Sequence, residues 1–174
     1  MNWNCVKVIN DDTQQPGGMV PNHEHRNYDI LGYVVEGELE HTDSLGNTNR
    51  AIAGQIQHMW CGSSIWHTER CIGDTPARYL QLWITPRREL NTKPYYKIID
   101  KGPEFGPILA DFKQDITVSG GILTEDYTVN NAYLYVVEGS CMVNGITLSR
   151  GDGAELASET IIPLDDTHIL LFEV

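Results

Sequence analysis

A five-residue string, Tyr33-Val34-Val35-Glu36-Gly37, returns as Tyr135-Val136-Val137-Glu138-Gly139. Five identical residues carry little alone. Behind each copy, however, comes a strand-like stretch and then two further glycine turns, at Gly46 and Gly54 in the first and at Gly145 and Gly151 in the second. A shared pattern of strands and turns downstream of a shared string indicates duplication. At 174 residues the chain fits one compact unit or two small packed ones, and a hydrophobic content of 41% is enough for a core.

The local patterning is of β type. Val6–Ile9 is a short strand-like run, and residues 10–18, with Asn10-Asp11-Asp12 and Pro16-Gly17-Gly18, read as a turn-rich loop. The segment 29–41 is rich in Ile, Tyr and Val and breaks at Glu36-Gly37. Leu39 alternates with Glu38 and Glu40, and Ile56 with Gln55 and Gln57. In 78–84, Leu80, Leu82 and Ile84 take one face, and Tyr79, Gln81 and Trp83 the other. Short strands and turns at a spacing of about 8–12 residues indicate an all-β sandwich or barrel. Proline-rich residues 86–107 show no sustained period. The expected organisation is an N-terminal domain over 1–90, a linker over 91–107 and a second domain over 108–174. Strand-like runs in the second half lie at 115–118, 121–124, 132–137, 140–143 and 168–174.

The chemistry concentrates in two short stretches. His23 and His25 are two residues apart, as are His67 and Glu69. On a strand, residues i and i+2 point to one face, so each pair aims at a common point. A single histidine of this kind reads as a polar side chain satisfied on a strand. Three histidines and a glutamate in two such pairs form a ligand set for a divalent transition metal. Asp29 belongs around the site and is not required as a ligand. His41 and His58 fall outside the paired pattern. Arg26 should face away from the site, pairing with Asp29 or Glu40. Trp60, Trp66, Tyr28 and Tyr33 read as core aromatics.

A net charge of −12 excludes direct nucleic-acid binding, which needs a basic patch, and Arg87-Arg88 is the only basic cluster. No apolar run is long enough to span a membrane. Residues 1–5 lack the basic and apolar regions of a signal peptide, so a cytoplasmic location is expected. The four cysteines, Cys5, Cys61, Cys71 and Cys141, form no metal-binding spacing and are expected to be reduced.

Gly17, His23, His25, Asp29 and Gly37 together resemble the first cupin motif, which usually has Glu at the position of Asp29. More narrowly, His23-Glu24-His25-Arg26, then Tyr33 to His41, then Asp43-Ser44-Leu45-Gly46-Asn47 resemble the pirin family. So do Gly54 with His67-Thr68-Glu69 and Leu80-Gln81-Leu82-Trp83-Ile84. The resemblance implies a cupin-type double-stranded β-helix, or jelly roll, in two tandem domains, the second degenerate. It implies one metal in the first barrel, held by His23, His25, His67 and Glu69. Fe(II) is the expected metal, with Mn, Ni, Co, Cu and Zn open. It further implies a quercetin 2,3-dioxygenase type of activity on a flavonol-like aromatic enol and O2, with Glu69 as general base. Two alternatives stay open: a non-catalytic iron-binding redox sensor acting on a protein partner, and a cupin enzyme of other small-molecule specificity. The chain departs from the family in having Glu24 where Pro is common, a compressed second half and a short stretch before Val6. The last of these raises the expectation of a homo-oligomer that supplies an edge strand.

Overall fold

A computed structural model describes residues 3–86, 90–108 and 116–174, with no helix among them. It follows that no helix among the described residues is long and apolar enough to cross a membrane. The described residues fall into two units, one up to Lys101 and one from Gly102 onward. Each is an antiparallel jelly roll.

The first unit contains β1 (Val6–Gln14), β2 (Met19–His25), β3 (Asp29–Glu36), β4 (Glu38–Asp43), β5 (Thr48–Ile52), β6 (Gln55–Trp60), β7 (Ile65–Cys71), β8 (Ala77–Ile84) and β9 (Tyr95–Asp100). They form a five-stranded sheet, β1-β8-β3-β6-β9, and a four-stranded sheet, β2-β7-β4-β5. One apolar cluster joins Val34, Ala77 and Tyr79 of the first sheet to Leu39, Ala51 and Cys71 of the second. The two sheets therefore face each other across a shared core.

Two bends create the second sheet. Between β2 and β3, Asn27 takes φ 56°; between β6 and β7, Gly62 takes φ 50°. The bends are tied together, since Asn27 N–H donates to Gly62 C=O and Cys61 N–H to Tyr28 C=O, each at 2.9 Å. A Cβ on Gly62 would lie 2.2 Å from the Thr92 carbonyl oxygen, so only glycine lets the segments approach this closely. β2 and β7 are thus turned together out of the plane of β3 and β6.

Two expectations for this unit need correction. Residues 10–14 are not loop but the second half of β1, paired in register with β8 from Asn10↔Gln81 to Gln14↔Ala77. Their polarity suits an edge strand, and Asp11 accepts a bidentate pair from buried Arg78 (2.7 and 2.6 Å). The stretch 91–107 is likewise not all linker. β9 pairs with β6 from Trp60↔Tyr95 to Gln55↔Asp100, and Tyr-Tyr-Lys-Ile-Ile-Asp shows no alternation by which sequence alone reveals a strand. Arg87-Arg88 lies outside the described residues.

The second unit contains β10 (Gly106–Pro107), β11 (Thr117–Leu123), β12 (Tyr127–Glu138), β13 (Ser140–Val143), β14 (Ile146–Ser149), β15 (Gly153–Pro163) and β16 (Thr167–Glu173). Its order is β10-β11-β16-β12-β15-β13-β14, around a core that includes Leu134, Val136, Ile161, Ile169 and Leu171. The runs expected at 115–118 and 121–124 are one strand, β11, which leaves out Ile116 and Thr124 at its ends; Asp115 lies outside the described residues. Gly120-Gly121 sits inside it because Gly121 (φ 120°) packs under Glu104, where a Cβ would meet the carbonyl oxygen at 2.3 Å. β15 was not anticipated at all; its polar outward residues hide the period.

The duplication is visible in the backbone. Gly37 and Gly139 take φ 72° and 75°, and Gly54 and Gly151 take 85° and 87°. Gly54 N–H donates to Val34 C=O and Gly151 N–H to Val136 C=O, both at 2.9 Å. A bulge falls between Val34 and Glu36 in one copy and between Val136 and Glu138 in the other. The copies differ in continuity. β12 continues past a left-handed residue, Asn131 (φ 55°), where the first unit breaks into β2 and β3 at Asn27, and β15 runs through where it breaks into β6 and β7.

Candidate metal centre

β2 and β7 are paired with His23 opposite His67 and His25 opposite Ile65. The period of two on each strand then sends His23, His25 and His67 to one side. Their rings meet, with centroids 4.7 Å apart for His23–His25, 4.3 Å for His23–His67 and 5.1 Å for His25–His67. One ligand nitrogen from each lies within 4.8 Å of the others. His25 and His67 are buried and His23 is half-buried.

Local sequence aims these rings. The register slips between Val20 and His23, over Pro21-Asn22, and proline, with no N–H, suits such a bulge. The Pro21 carbonyl then accepts from His23 Nδ1–H at 2.9 Å, which leaves Nε2 of His23 as the lone-pair nitrogen. Glu24, between the two histidines, accepts from Ser64 Oγ–H (2.5 Å) and from Arg26 (2.6 Å). Those bonds, Ser64 first, hold its carboxyl below the usual range. Arg26 accordingly pairs with Glu24 and not with the expected Asp29 or Glu40. Asp29 is fully buried and accepts from His58 Nε2 at 3.1 Å.

Glu69 lies on the same face of β7 as His67 and groups with His67 and His41 within 4.8 Å. Its Oε2 accepts from Gln81 Nε2 at 3.1 Å, and Gln81 Oε1 accepts from Trp83 Nε1–H at 2.8 Å. An indole N–H can only donate, so it fixes the Gln81 amide with its NH2 toward Glu69. Trp83 also packs edge-on against His25, with centroids 4.8 Å apart. Trp60 and Tyr33 are buried as expected, whereas Trp66 is 44% exposed.

Burial sets the charge states. It pushes His67 down to about 2, aided by the neighbouring His41, His23 and His25, and His25 down to about 4, aided by His23. It pushes Glu69 up to about 7, with help from Asp12 and against the Gln81 hydrogen bond. His25 and His67 are therefore neutral, each with a nitrogen lone pair available. Nε2 of His25 and of His67 are both buried with no hydrogen-bond partner among the described residues. Two such orphaned ring nitrogens, side by side, are rare in a folded interior and fit a bound metal ion. The donor set of imidazoles and a carboxylate fits a divalent metal ion.

His41 is the residue that sequence reasoning placed outside this site. It stands opposite Glu69 on β4, as Asp43 stands opposite His67, and it contacts His67 directly (Nδ1 to Nδ1, 3.3 Å). The signal was available: Leu39 faces inward, so His41 and Asp43 continue the same face. His58 does lie apart, with Asp29. None of the four cysteines is in a disulfide, and Cys61, Cys71 and Cys141 are buried.

Comparison with known proteins identifies the family. Residues 3–84 match the Pirin family model, and residues 111–174 match the model of the quercetinase C-terminal cupin domain. A pirin-like protein of Caulobacter vibrioides is 32% identical over 99% of this chain and 84% of its own length. A quercetin 2,3-dioxygenase of Escherichia coli is 30% identical over 100% of this chain and 84% of its own. The crystal structure of the bacterial pirin YhhW from Escherichia coli in complex with nickel(II) superposes with a TM-score of 0.90 at 28% identity, covering 100% of this chain and 84% of that one. With these matches and a histidine–glutamate cluster in its first jelly roll, the chain belongs to the pirin family of cupin proteins.

Proposed function

We propose that this chain is a metal-dependent dioxygenase of quercetin 2,3-dioxygenase type, acting on a flavonol-like aromatic enol, with His23, His25, His67 and Glu69 as the ligands. The observation that carries the reading is the pair of buried, unpartnered Nε2 atoms of His25 and His67 beside the ring of His23. Fe(II) is the proposed metal; the nickel(II) of the Escherichia coli relative makes nickel the second choice. When bound there, a divalent metal supplies Lewis acidity toward the enol oxygen and an electron path to O2.

The protein's own part is positioning and proton transfer. The lone pairs on His25 and His67 stay free of protons because burial disfavours their cations. Gln81 donates to Oε2 of Glu69 and orients the carboxylate, which would accept the proton released by the enol hydroxyl. Trp83 and Tyr28, whose rings are 5.4 Å apart, form an apolar flank beside His25 suited to a flat aromatic substrate.

The test is metal content and gas balance together. Purified chain should carry one metal ion per molecule, and the double variant His23→Ala, Glu69→Ala should carry none. Chain loaded with Fe(II) or Ni(II) should consume O2 with quercetin and release CO in equal amount. Full metal content in the double variant would overturn the ligand set. Normal metal binding with a flat oxygen trace for iron, nickel, manganese, cobalt, copper and zinc would overturn the activity and favour a non-catalytic metal protein.

A further inference from the structure

His67 is bonded on its far side, and what it is bonded to has consequences for the nitrogen that faces His23 and His25. Asp43 is the origin. Its side chain is fully buried, and its Oδ1 accepts from the backbone N–H groups of Leu45 (2.9 Å) and Asn47 (3.1 Å). Its Oδ2 accepts from Asn47 Nδ2 (2.9 Å) and meets His41 Nε2 at 3.1 Å. A carboxyl surrounded by donors is an acceptor only, and so an anion. Burial pushes its pKa up, but those hydrogen bonds outweigh burial and hold it below the usual range.

The remainder is bookkeeping of protons. Asp43 can only accept, so His41 must carry its proton on Nε2. Neutral His41 then presents a lone pair on Nδ1. His67 Nδ1 is 3.3 Å from that lone pair, so the proton between them belongs to His67 Nδ1. Neutral His67 consequently has its lone pair on Nε2, the buried atom without a partner. His41 cannot rotate to another arrangement easily, because it is 1% exposed and stacked on Tyr96, with centroids 3.9 Å apart and planes 12° apart.

We propose that Asp43 and His41 form a relay that fixes the tautomer of His67, with His41 acting as a positioning residue that keeps Nε2 of His67 as a lone pair directed at the site. The relay is the counterpart, on β4, of the bond from His23 Nδ1–H to the Pro21 carbonyl on β2. Two of the three histidines thus have their protons held away from the common centre by protein acceptors. This inference rests on the ligand set proposed above only for its effect on metal affinity; the tautomer itself is a property of the metal-free chain.

The experiment has two readouts. First, the chelator-treated, 15N-histidine-labelled chain is examined by long-range 1H–15N correlation near neutral pH. His67 should carry its proton on Nδ1. In His41→Phe, which keeps a flat ring against Tyr96 but no nitrogen, His67 should shift toward the Nε2–H form. In His41→Gln, whose carbonyl oxygen can accept, the Nδ1–H form should persist. Second, metal affinity is measured by competition with a chromophoric chelator. His41→Phe should bind about 10–100-fold more weakly, as is usual for loss of a partner behind a ligand, and His41→Gln should recover most of the loss. A His67 proton on Nε2 in the unmutated chain overturns the relay, even where the variants fail to fold. So does wild-type affinity in a folded His41→Phe. A fall from two bound metals to one in His41→Phe overturns it too, since His41 would then be a ligand, together with His67 and Glu69, of a second ion. His23→Ala, run in parallel, isolates the other reading: undiminished affinity there refutes the ligand set and leaves the tautomer result standing.

Discussion

Replacing Glu69 by Gln should change how the metal-free chain responds to acid. Between pH 8 and pH 5 the two buried histidines destabilise the fold increasingly. In the unfolded chain each titrates near its ordinary value of 6.5, but in the folded chain only at about 2 for His67 and about 4 for His25. Their contribution is complete above pH 6.5 and is lost as pH falls below it. At pH 5 the gap to 6.5 is about 1.5 units, which at 1.36 kcal/mol per unit is about 2 kcal/mol for each, or about 4 kcal/mol together. Glu69 acts in the opposite sense. Its folded value, about 7, exceeds its ordinary 4.5, so the folded chain binds a proton that the unfolded chain does not. Its contribution is full below pH 4.5, is lost as pH rises through 7, and over the same window offsets about 2 to 3 kcal/mol. The metal-free wild type should therefore lose only about 1 to 2 kcal/mol from this cluster between pH 8 and pH 5, while Glu69→Gln loses about 4. Urea midpoints for both chains in chelator, taken across that range, provide the assay. Titrations elsewhere are common to both and cancel in the difference. Parallel curves for the two proteins would refute the assignment of Glu69 as a buried carboxyl that charges only near neutrality.

The bend between β6 and β7 and the thiols supply further tests. Gly62→Ala places a Cβ 2.2 Å from the Thr92 carbonyl oxygen at a φ of 50°; it should destabilise by about 2 kcal/mol or more, lowering both the thermal midpoint and the metal content. Gly46→Ala is the control, because nothing lies within 4 Å of its Cβ position, and its smaller loss should leave metal content intact. Burial pushes the Cys61 thiol up to about 12 and the Cys141 thiol up to about 11, and Cys71 is buried. Iodoacetamide at pH 8 should therefore modify Cys5 alone in the native chain and all four cysteines after denaturation, as read by intact mass.

How much of this was legible beforehand follows from which physical signals are local. The rule that i and i+2 share a strand face is local, so His23 with His25 and His67 with Glu69 could be paired from spacing. The repeat Tyr-Val-Val-Glu-Gly with its trailing glycines is local too, and each of those glycines does take positive φ. β1 beyond Ile9 was hidden because its stability comes from a partner strand and from the Asp11–Arg78 pair, 67 residues apart in sequence. β9 and β15 were hidden for the same reason: edge or outward positions impose no alternation. His41 is the instructive miss. Sorting histidines by spacing to other histidines left it out, whereas carrying the inward parity of Leu39 two residues further along β4 would have included it.

The two jelly rolls amount to an internal comparison of what a site requires beyond its ligands. Both keep the bulge after the second repeat residue pair, the positive-φ glycine and the same two turn hydrogen bonds. In the second unit β12 and β15 run unbroken through twelve and eleven residues, and they remain paired with each other from Tyr127↔Ile161 to Tyr135↔Gly153. β12 too has a left-handed residue, Asn131 at φ 55°, which the pairing skips between Asn130↔Ser158 and Ala132↔Leu156, but the strand continues on both sides of it. In the first unit the paired bends at Asn27 and Gly62, joined by two backbone hydrogen bonds, turn β2 and β7 as one piece. The Pro21 bulge then re-aims His23 within that piece. In the first unit, convergence of the three imidazoles thus depends on the bends and the bulge as well as on the spacing of the histidines. Gly62, which is not itself a candidate ligand, belongs to the site as much as the residues that would hold the metal.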